Sequence, residues 1–153
     1  FRRVLFRSQV FEDVYVDEGG SPVTVKTIIL PAAELPTDEE GVGGVFIRQE
    51  DNSYYVGTGS TSVNVTITNG VPETAVSHSG PEVEVVVNRD TVFYEDITKV
   101  SFESSESKEQ TIQQEVRQID PPAELEGAYS IAAWGEKRGD RVVATTIVIT
   151  EVR

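Results

Sequence analysis

The sequence contains no cysteine, and this absence removes several classes of site at once. Without thiols the chain can form neither disulfide bonds nor zinc–thiolate centres, and it has no thiolate nucleophile. Histidine is almost as scarce, since His78 is the only one. A lone imidazole makes no zinc site by itself and indicates no Ser-His-Asp arrangement. We therefore interpret His78 as a surface or strand-end residue in the turn at residues 77–81.

Basic residues and long apolar runs are also rare. The chain has 13 Lys and Arg against 26 Asp and Glu, a formal net charge of −13 at pH 7. Nucleic-acid binding needs clustered Lys and Arg to neutralise phosphates, and outside residues 1–8 the sequence has no such cluster. No apolar run approaches the roughly 18 residues of a transmembrane helix. We expect neither a nucleic-acid partner nor a transmembrane segment.

The chain begins at Phe1 and contains no methionine, so we expect a piece of a processed or longer protein. Residues 1–8 resemble translated sequencing-adaptor read-through, as found at the ends of metagenomic reading frames, and we interpret them as an artefact. They carry 3 of the 13 basic residues and no acid. Residues 9–153 therefore hold 10 basic and 26 acidic residues, a net charge of −16.

No motif of phosphate binding, calcium binding or catalysis is complete. The glycine-rich residues 57–62 lack the Lys of a phosphate-binding loop and precede a strand rather than a helix, so we interpret them as a bend. The spaced-carboxylate pattern of a calcium loop is missing. A catalytic carboxylate pair could exist among 26 acids, but sequence cannot identify one. We predict no enzyme activity, no cofactor and no metal site.

What the sequence does contain is a succession of short strands. Residues 9–30, with turn residues at 17–22, predict a hairpin or an extended arm, and residues 31–44 have the composition of an acidic linker. A single helical turn is predicted at residues 121–125. We place an N-terminal arm and linker at residues 9–43 and a β-domain at residues 44–153.

Strand signals within the β-domain come at close spacing, with turn residues between them. Alternation at residues 63–67 predicts a half-buried strand, and Asn69-Gly70 after it is a strong hairpin signal. The pattern predicts an all-β sandwich or small barrel. The predicted strands are residues 45–47, 54–56, 63–67, 74–78, 83–87, 91–94, 110–119, 129–135 and 141–149, with a polar loop at residues 99–110.

Several of these segments resemble a known family, the most specific being Ala133-Trp134-Gly135 through Asp140 to Ala144. The others are residues 44–47, residues 51–57, Asp90-Thr91-Val92 and Leu125-Glu126-Gly127. Together they resemble small bacterial envelope domains of unknown function, most closely variants from filamentous, Chloroflexus-like bacteria. The resemblance implies an OB-like barrel of five to seven antiparallel strands and a secreted or membrane-anchored, extracytoplasmic location. It departs from the family where Gly127 leads directly into Ala128-Tyr129, and it implies no reaction.

Five aromatic residues are the candidate ligand-binding residues: Tyr54, Tyr55, Phe93, Tyr94 and Trp134. Neighbouring residues on a strand point to opposite faces, so one ring of each adjacent pair should enter the core and the other face outward. An outward ring could stack on a sugar or on a partner protein. Alternatively, these rings only cover the sheet.

Three functional hypotheses follow from these observations. The first is a non-catalytic module of the bacterial envelope or exterior that binds a protein or glycan, or serves as a structural spacer. The second is a small carboxylate- or calcium-dependent hydrolase or binding domain. The third is an oligonucleotide-binding OB domain, which the acidity disfavours.

Overall fold

The computed structural model describes residues 9–16, 18–99 and 109–152, and these residues form twelve strands and no helix. The strands are β1 Gln9–Val16, β2 Pro22–Leu30, β3 Val42–Glu50, β4 Ser53–Gly57, β5 Thr61–Thr68, β6 Val71–His78, β7 Glu82–Val86, β8 Val92–Asp96, β9 Glu109–Gln113, β10 Val116–Ile119, β11 Tyr129–Arg138 and β12 Arg141–Glu151. The all-β prediction is confirmed. The artefact assigned to residues 1–8 and most of the predicted loop at 99–110 lie outside the described residues.

Five strands close into a barrel in the order β3, β4, β7, β12, β11 and back to β3. Four of the five pairings are antiparallel, and the closing pairing of β7 with β12 is parallel. This closed five-stranded barrel agrees with the predicted small OB-like barrel. The parallel closure is available because a long crossover separates β7 from β12 in the chain.

Strand β12 changes neighbours along its length. Its first residues pair with β7, whereas residues 146–149 pair in parallel with β8. The two predicted strands at 83–87 and 91–94 are therefore real, but they lie end to end along β12 instead of pairing with each other. At the changeover the buried Thr91 hydroxyl donates to the carbonyl oxygen of Ala144 at 2.8 Å.

The barrel interior is filled by inward side chains that alternate with outward ones along each strand. Tyr54 lies between Phe46 and Phe93, with ring centroids 6.1 and 5.9 Å apart in tilted arrangements. The largest side chains with almost no solvent exposure are Phe93, Ile131, Ile147, Val56, Val85 and Val142. Burial of these rings and branched side chains supplies the main stabilising term.

A second, smaller cluster lies on the outside of the barrel and includes two residues of the predicted linker. Ala32 and Leu35 are buried against Val148, and Tyr94 and Trp134 pack beside them. The Trp134 indole nitrogen also donates to the carbonyl oxygen of Asp38 at 3.1 Å. The segment between β2 and β3 therefore packs on the sheet, although its composition is typical of a free linker. The division at residue 43 stays a prediction.

The predicted arm is a three-stranded sheet in the order β1, β2, β9. Strands β1 and β2 form the hairpin predicted as one alternative for residues 9–30, and β9 joins β2 in parallel. The single strand predicted at residues 110–119 is in fact two strands, β9 and β10. The chain leaves the arm at Gln114, whose backbone nitrogen donates to the carbonyl oxygen of Leu30 at 2.8 Å.

Strands β5 and β6 form a separate two-stranded sheet, called the ribbon below. Asn69 and Gly70 adopt positive φ values of 53° and 80°, as the predicted hairpin turn requires. The prediction of half-burial for residues 63–67 is wrong at the distal end, where Ile67 is 72% exposed. The alternating pattern is present, but within the described residues no second layer covers this part of the ribbon.

The helical turn predicted at residues 121–125 is also wrong. This segment is irregular and runs across one end of the barrel. There the Tyr54 hydroxyl donates to the carbonyl oxygen of Pro122 at 3.3 Å, and Leu125 packs against the barrel core. These tertiary contacts outweigh the weak local preference for a helical turn.

Candidate functional site

The five candidate aromatic residues divide between the two clusters and the outer surface. Tyr54 and Phe93 are 3% and 1% exposed and belong to the barrel core, as the alternation rule predicts for one ring of each pair. Tyr94 and Trp134 face outward from the barrel but pack against the segment between β2 and β3. Tyr55 alone among the five is an outward ring in neither cluster.

Tyr55 lies in the middle of a row of side chains that crosses four barrel strands. Arg48 on β3 pairs with Tyr55 on β4, Tyr55 pairs with Glu84 on β7, and Glu84 pairs with Arg141 on β12. Directly opposed residues on neighbouring strands share a face, so the four side chains form one outer surface. We call Arg48, Tyr55, Glu84 and Arg141 the Tyr55 face.

The cation at one end of the row covers the aromatic ring. The Arg48 guanidinium carbon lies 4.0 Å from the centroid of Tyr55, a cation–π contact. The same guanidinium is hydrogen-bonded to Glu82, and its Nε lies 3.3 Å from Glu50. The hydrogen bond to Glu82 raises the pKa of Arg48 above its ordinary value, so this cation persists over the whole useful pH range.

The third member of the row, Glu84, is a carboxylate with two partners. One oxygen of Glu84 accepts a hydrogen bond from the Ser53 hydroxyl at 2.6 Å, and the other lies 3.4 Å from Arg141. Guanidinium groups only donate and carboxylates only accept hydrogen bonds. The Tyr55 face therefore has hydrogen-bond donors at both ends, Arg48 and Arg141, and the acceptor Glu84 between them.

Two hairpin tips flank the Tyr55 face. The β3–β4 tip contacts the residue after β7 through the Asn52 carbonyl oxygen, which accepts from the Val87 nitrogen at 2.7 Å. The β11–β12 tip contacts β7 through Asp140, whose carbonyl oxygen accepts from the Glu84 nitrogen at 3.3 Å. The two contact points are three residues apart, or about 10 Å along an extended strand. In OB barrels the corresponding strands and tips form the ligand-binding face.

The β11–β12 tip adds a charged pair of its own. Arg138 donates to Glu136 at 3.0 Å, and this hydrogen bond lowers the pKa of Glu136 below its ordinary value. The tip closes as a two-residue turn with Gly139 at a φ of 66°. A second hairpin tip with both donors and acceptors thus extends the polarity of the Tyr55 face.

The residues that suggested catalysis or anion binding have structural contacts. His78 ends β6, and its Nδ1 is hydrogen-bonded to the carbonyl oxygen of Gly80 at 2.9 Å. The glycine-rich segment is a bend between β4 and β5, as predicted, with Thr58 donating to Pro81 at 2.7 Å. In residues 9–16, 18–99 and 109–152, no three His, Cys, Asp or Glu side chains come close enough together to hold a metal ion.

A groove of about 530 Å³ opens where the irregular segment crosses the barrel. Its apolar lining comes from Ile119, Leu125 and Ile149, and its polar lining includes Asp96. The lining is therefore mixed, with apolar side chains beside the ionisable Glu95, Lys99 and Glu151.

Sequence reasoning identified Tyr55 but not the charged side chains beside it. The only local signal was spacing: Arg48 and Glu50, and likewise Glu82 and Glu84, are two residues apart and so share one face of a strand. Their assembly with Arg141 depends on the parallel closure of the barrel, which no local pattern indicated.

Among the described residues no helix has the length and hydrophobicity needed to cross a membrane. Comparison with known protein families, with curated proteins and with solved structures finds no match for this chain.

Proposed function

We propose that this chain is a non-catalytic binding module of the bacterial envelope or exterior, and that the Tyr55 face binds an oligosaccharide. The observation that carries the proposal is the arrangement of Arg48, Tyr55, Glu84 and Arg141 in one row between two hairpin tips. The extracytoplasmic location rests on the family resemblance.

The chemistry of the Tyr55 face favours a polyhydroxylated ligand. A sugar hydroxyl is both a donor and an acceptor, so it can bond simultaneously to a guanidinium and a carboxylate. The ring of Tyr55 adds an apolar surface for the C–H side of a sugar. A polyphosphate would instead meet Glu50, Glu82 and Glu84 on a chain of net charge −13, which disfavours nucleic acid.

The test is titration calorimetry with a panel of neutral and uronic-acid cell-wall oligosaccharides. We expect Tyr55→Ala to lower the affinity of the best ligand at least tenfold, about 1.4 kcal/mol. Arg117→Ala is the control. Arg117 forms an exposed ion pair with Glu95 at 2.8 Å, like those of the arginines on the Tyr55 face, but it lies away from that face. Absence of binding across the panel, or equal losses in both variants, would refute the proposal.

A protein ligand at the same face is the second candidate. It is favoured by the Arg48–Tyr55 stack, since Tyr and Arg are, with Trp, enriched among the residues that dominate binding energy in protein interfaces. Its test is affinity capture from an envelope-protein fraction. Retention of one identified protein that is lost with Arg48→Ala and kept with Arg117→Ala would select this candidate over the oligosaccharide.

The hydrolase and calcium alternatives have their own assays. A ligand that binds only the folded state raises the melting temperature by mass action. We expect no change with millimolar calcium, and no turnover of ester, glycoside or phosphoester substrates. Turnover that disappears on replacement of one carboxylate or serine would establish an enzyme instead.

A further inference from the structure

The ribbon differs from the rest of the chain in its charge. Residues 61–78 contain a single carboxylate, Glu73, and no Lys or Arg, whereas 25% of the whole chain is charged. Strand β5 itself has no ionisable side chain at all. A second copy of a chain with net charge −13 is repelled electrostatically over most of the surface, and this repulsion is weakest where the ribbon projects.

The two edges of the ribbon are not equivalent. In a two-residue hairpin the residues flanking the turn, Thr68 and Val71, exchange both hydrogen bonds, and such pairs then alternate along the ladder. The next pair, Ile67 with Pro72, is therefore non-hydrogen-bonded, and its backbone groups point outward. Pro72 has no N–H to offer, so the outer edge of β6 lacks one donor.

The outer edge of β5 has no such protection. By the same alternation, residues 61, 63, 65 and 67 direct their backbone N–H and C=O groups away from β6. Within the described residues β5 is paired with β6 alone. The strand contains no Pro, Gly or charged residue, and six of its eight residues are Val, Ile or Thr. Edge strands of monomeric proteins usually carry Lys, Pro or a bulge that prevents pairing with another chain.

The ribbon also exposes apolar surface that a single copy leaves in water. Ile67 is 72% and Val71 60% exposed. A lone two-stranded sheet is only marginally stable in water, while a sheet of four strands is an ordinary size. Addition of two strands would pair the open edge of β5 and enlarge a narrow sheet.

From these observations we infer that β5 pairs antiparallel with β5 of a second copy, which creates a four-stranded sheet across a twofold axis. A twofold contact is self-complementary, so one uncharged, unprotected edge suffices for both partners. The Tyr55 face takes no part in this pairing. Binding at that face and dimerisation through β5 are therefore separable properties.

The test is sedimentation velocity of the full chain over a range of concentrations, with three variants. Val63 and Val76 face each other in one non-hydrogen-bonded pair, so Val63→Pro and Val76→Pro each remove an outward N–H and preserve the ladder between β5 and β6. Of these two variants, only Val63→Pro alters the β5 edge. Ile67→Pro makes the same change at an exposed position, which guards against a packing effect at Val63.

We expect the parent chain and Val76→Pro to sediment as dimers, at about twice 16.8 kDa. Val63→Pro and Ile67→Pro should raise the dimer dissociation constant at least tenfold. Added salt should strengthen the dimer of the parent chain, because it screens the repulsion between two acidic molecules. A parent chain that stays monomeric at high protein concentration, a dimer that both β5 variants retain, or open-ended aggregates in place of a dimer would overturn the inference.

Discussion

Truncation of Leu35 tests whether the segment between β2 and β3 is part of the folded domain. Leu35 is 7% exposed and lies with Ala32 and Val148 in the outer cluster. A free acidic linker would tolerate Leu35→Ala, because surface substitutions usually change the free energy of unfolding by less than about 0.5 kcal/mol. A packed segment would not.

The expected magnitude follows from the size of the cluster. Truncation of a buried Leu to Ala costs about 2–5 kcal/mol, and the cost is lowest where the surroundings can collapse into the space. The outer cluster has three buried residues and one side toward solvent, so we expect about 2–3 kcal/mol. For a chain of 153 residues this corresponds to a fall in melting temperature of roughly 4–12 °C.

Urea unfolding followed by tryptophan fluorescence is the assay, because Trp134 is the only tryptophan and belongs to the same cluster. Detachment of the segment would also break the hydrogen bond from Trp134 to Asp38 and shift the native emission to longer wavelength. Glu34→Ala, at an exposed neighbouring position, is the control. An unchanged unfolding midpoint and emission spectrum in Leu35→Ala would refute the packed arrangement.

Three further variants probe the barrel. Phe93→Ala should lower the free energy of unfolding by about 3–5 kcal/mol in urea titrations, because Phe93 is 1% exposed at the centre of the core; a loss below 1 kcal/mol would contradict this. Gly135→Ala should cost about 3 kcal/mol, since a Cβ there would overlap the carbonyl oxygen of Val143 beside the irregularity in β11; thermal unfolding checks this. Burial raises the pKa of Tyr54 in the folded state. The stability that the neutral hydroxyl contributes is therefore complete below the unfolded pKa of about 10, and it is lost as pH rises through the folded pKa. Tyr54→Phe should therefore lose less stability than the parent chain between pH 8 and pH 11, and equal losses would show that Tyr54 does not cause the effect.

Most strands were predictable because each carries its own period and its own turn signals. Asn69, Gly70 and Gly139 occupy hairpin turns at positive φ values that suit these residue types, so β5–β6 and β11–β12 followed from local chemistry. The parallel pairings of β12 did not, because they join segments far apart in the chain. The packing of residues 32 and 35 was hidden by the prolines and acids around them.

The Tyr55 face was predictable in only one of its members. An aromatic pair on a strand indicates that one of its two rings faces outward, and this made Tyr55 one of two candidates at its position. Arg48, Glu84 and Arg141 lie beside it through cross-strand register, and register is a property of paired strands rather than of a single segment. No local sequence pattern therefore distinguishes these three from other exposed charges.

The central position of β12 has a consequence for how the chain folds. This strand pairs with β11, β7 and β8, so the parallel pairing that closes the barrel and the pairing that attaches β8 both require β12. Loop-closure entropy must be overcome before such long-range pairs form, and domains dominated by them fold in milliseconds to seconds. During synthesis the barrel cannot close until β12 has left the ribosome. Until then β7 and β8 each have an unpaired edge, which exposes the unfinished chain to aggregation.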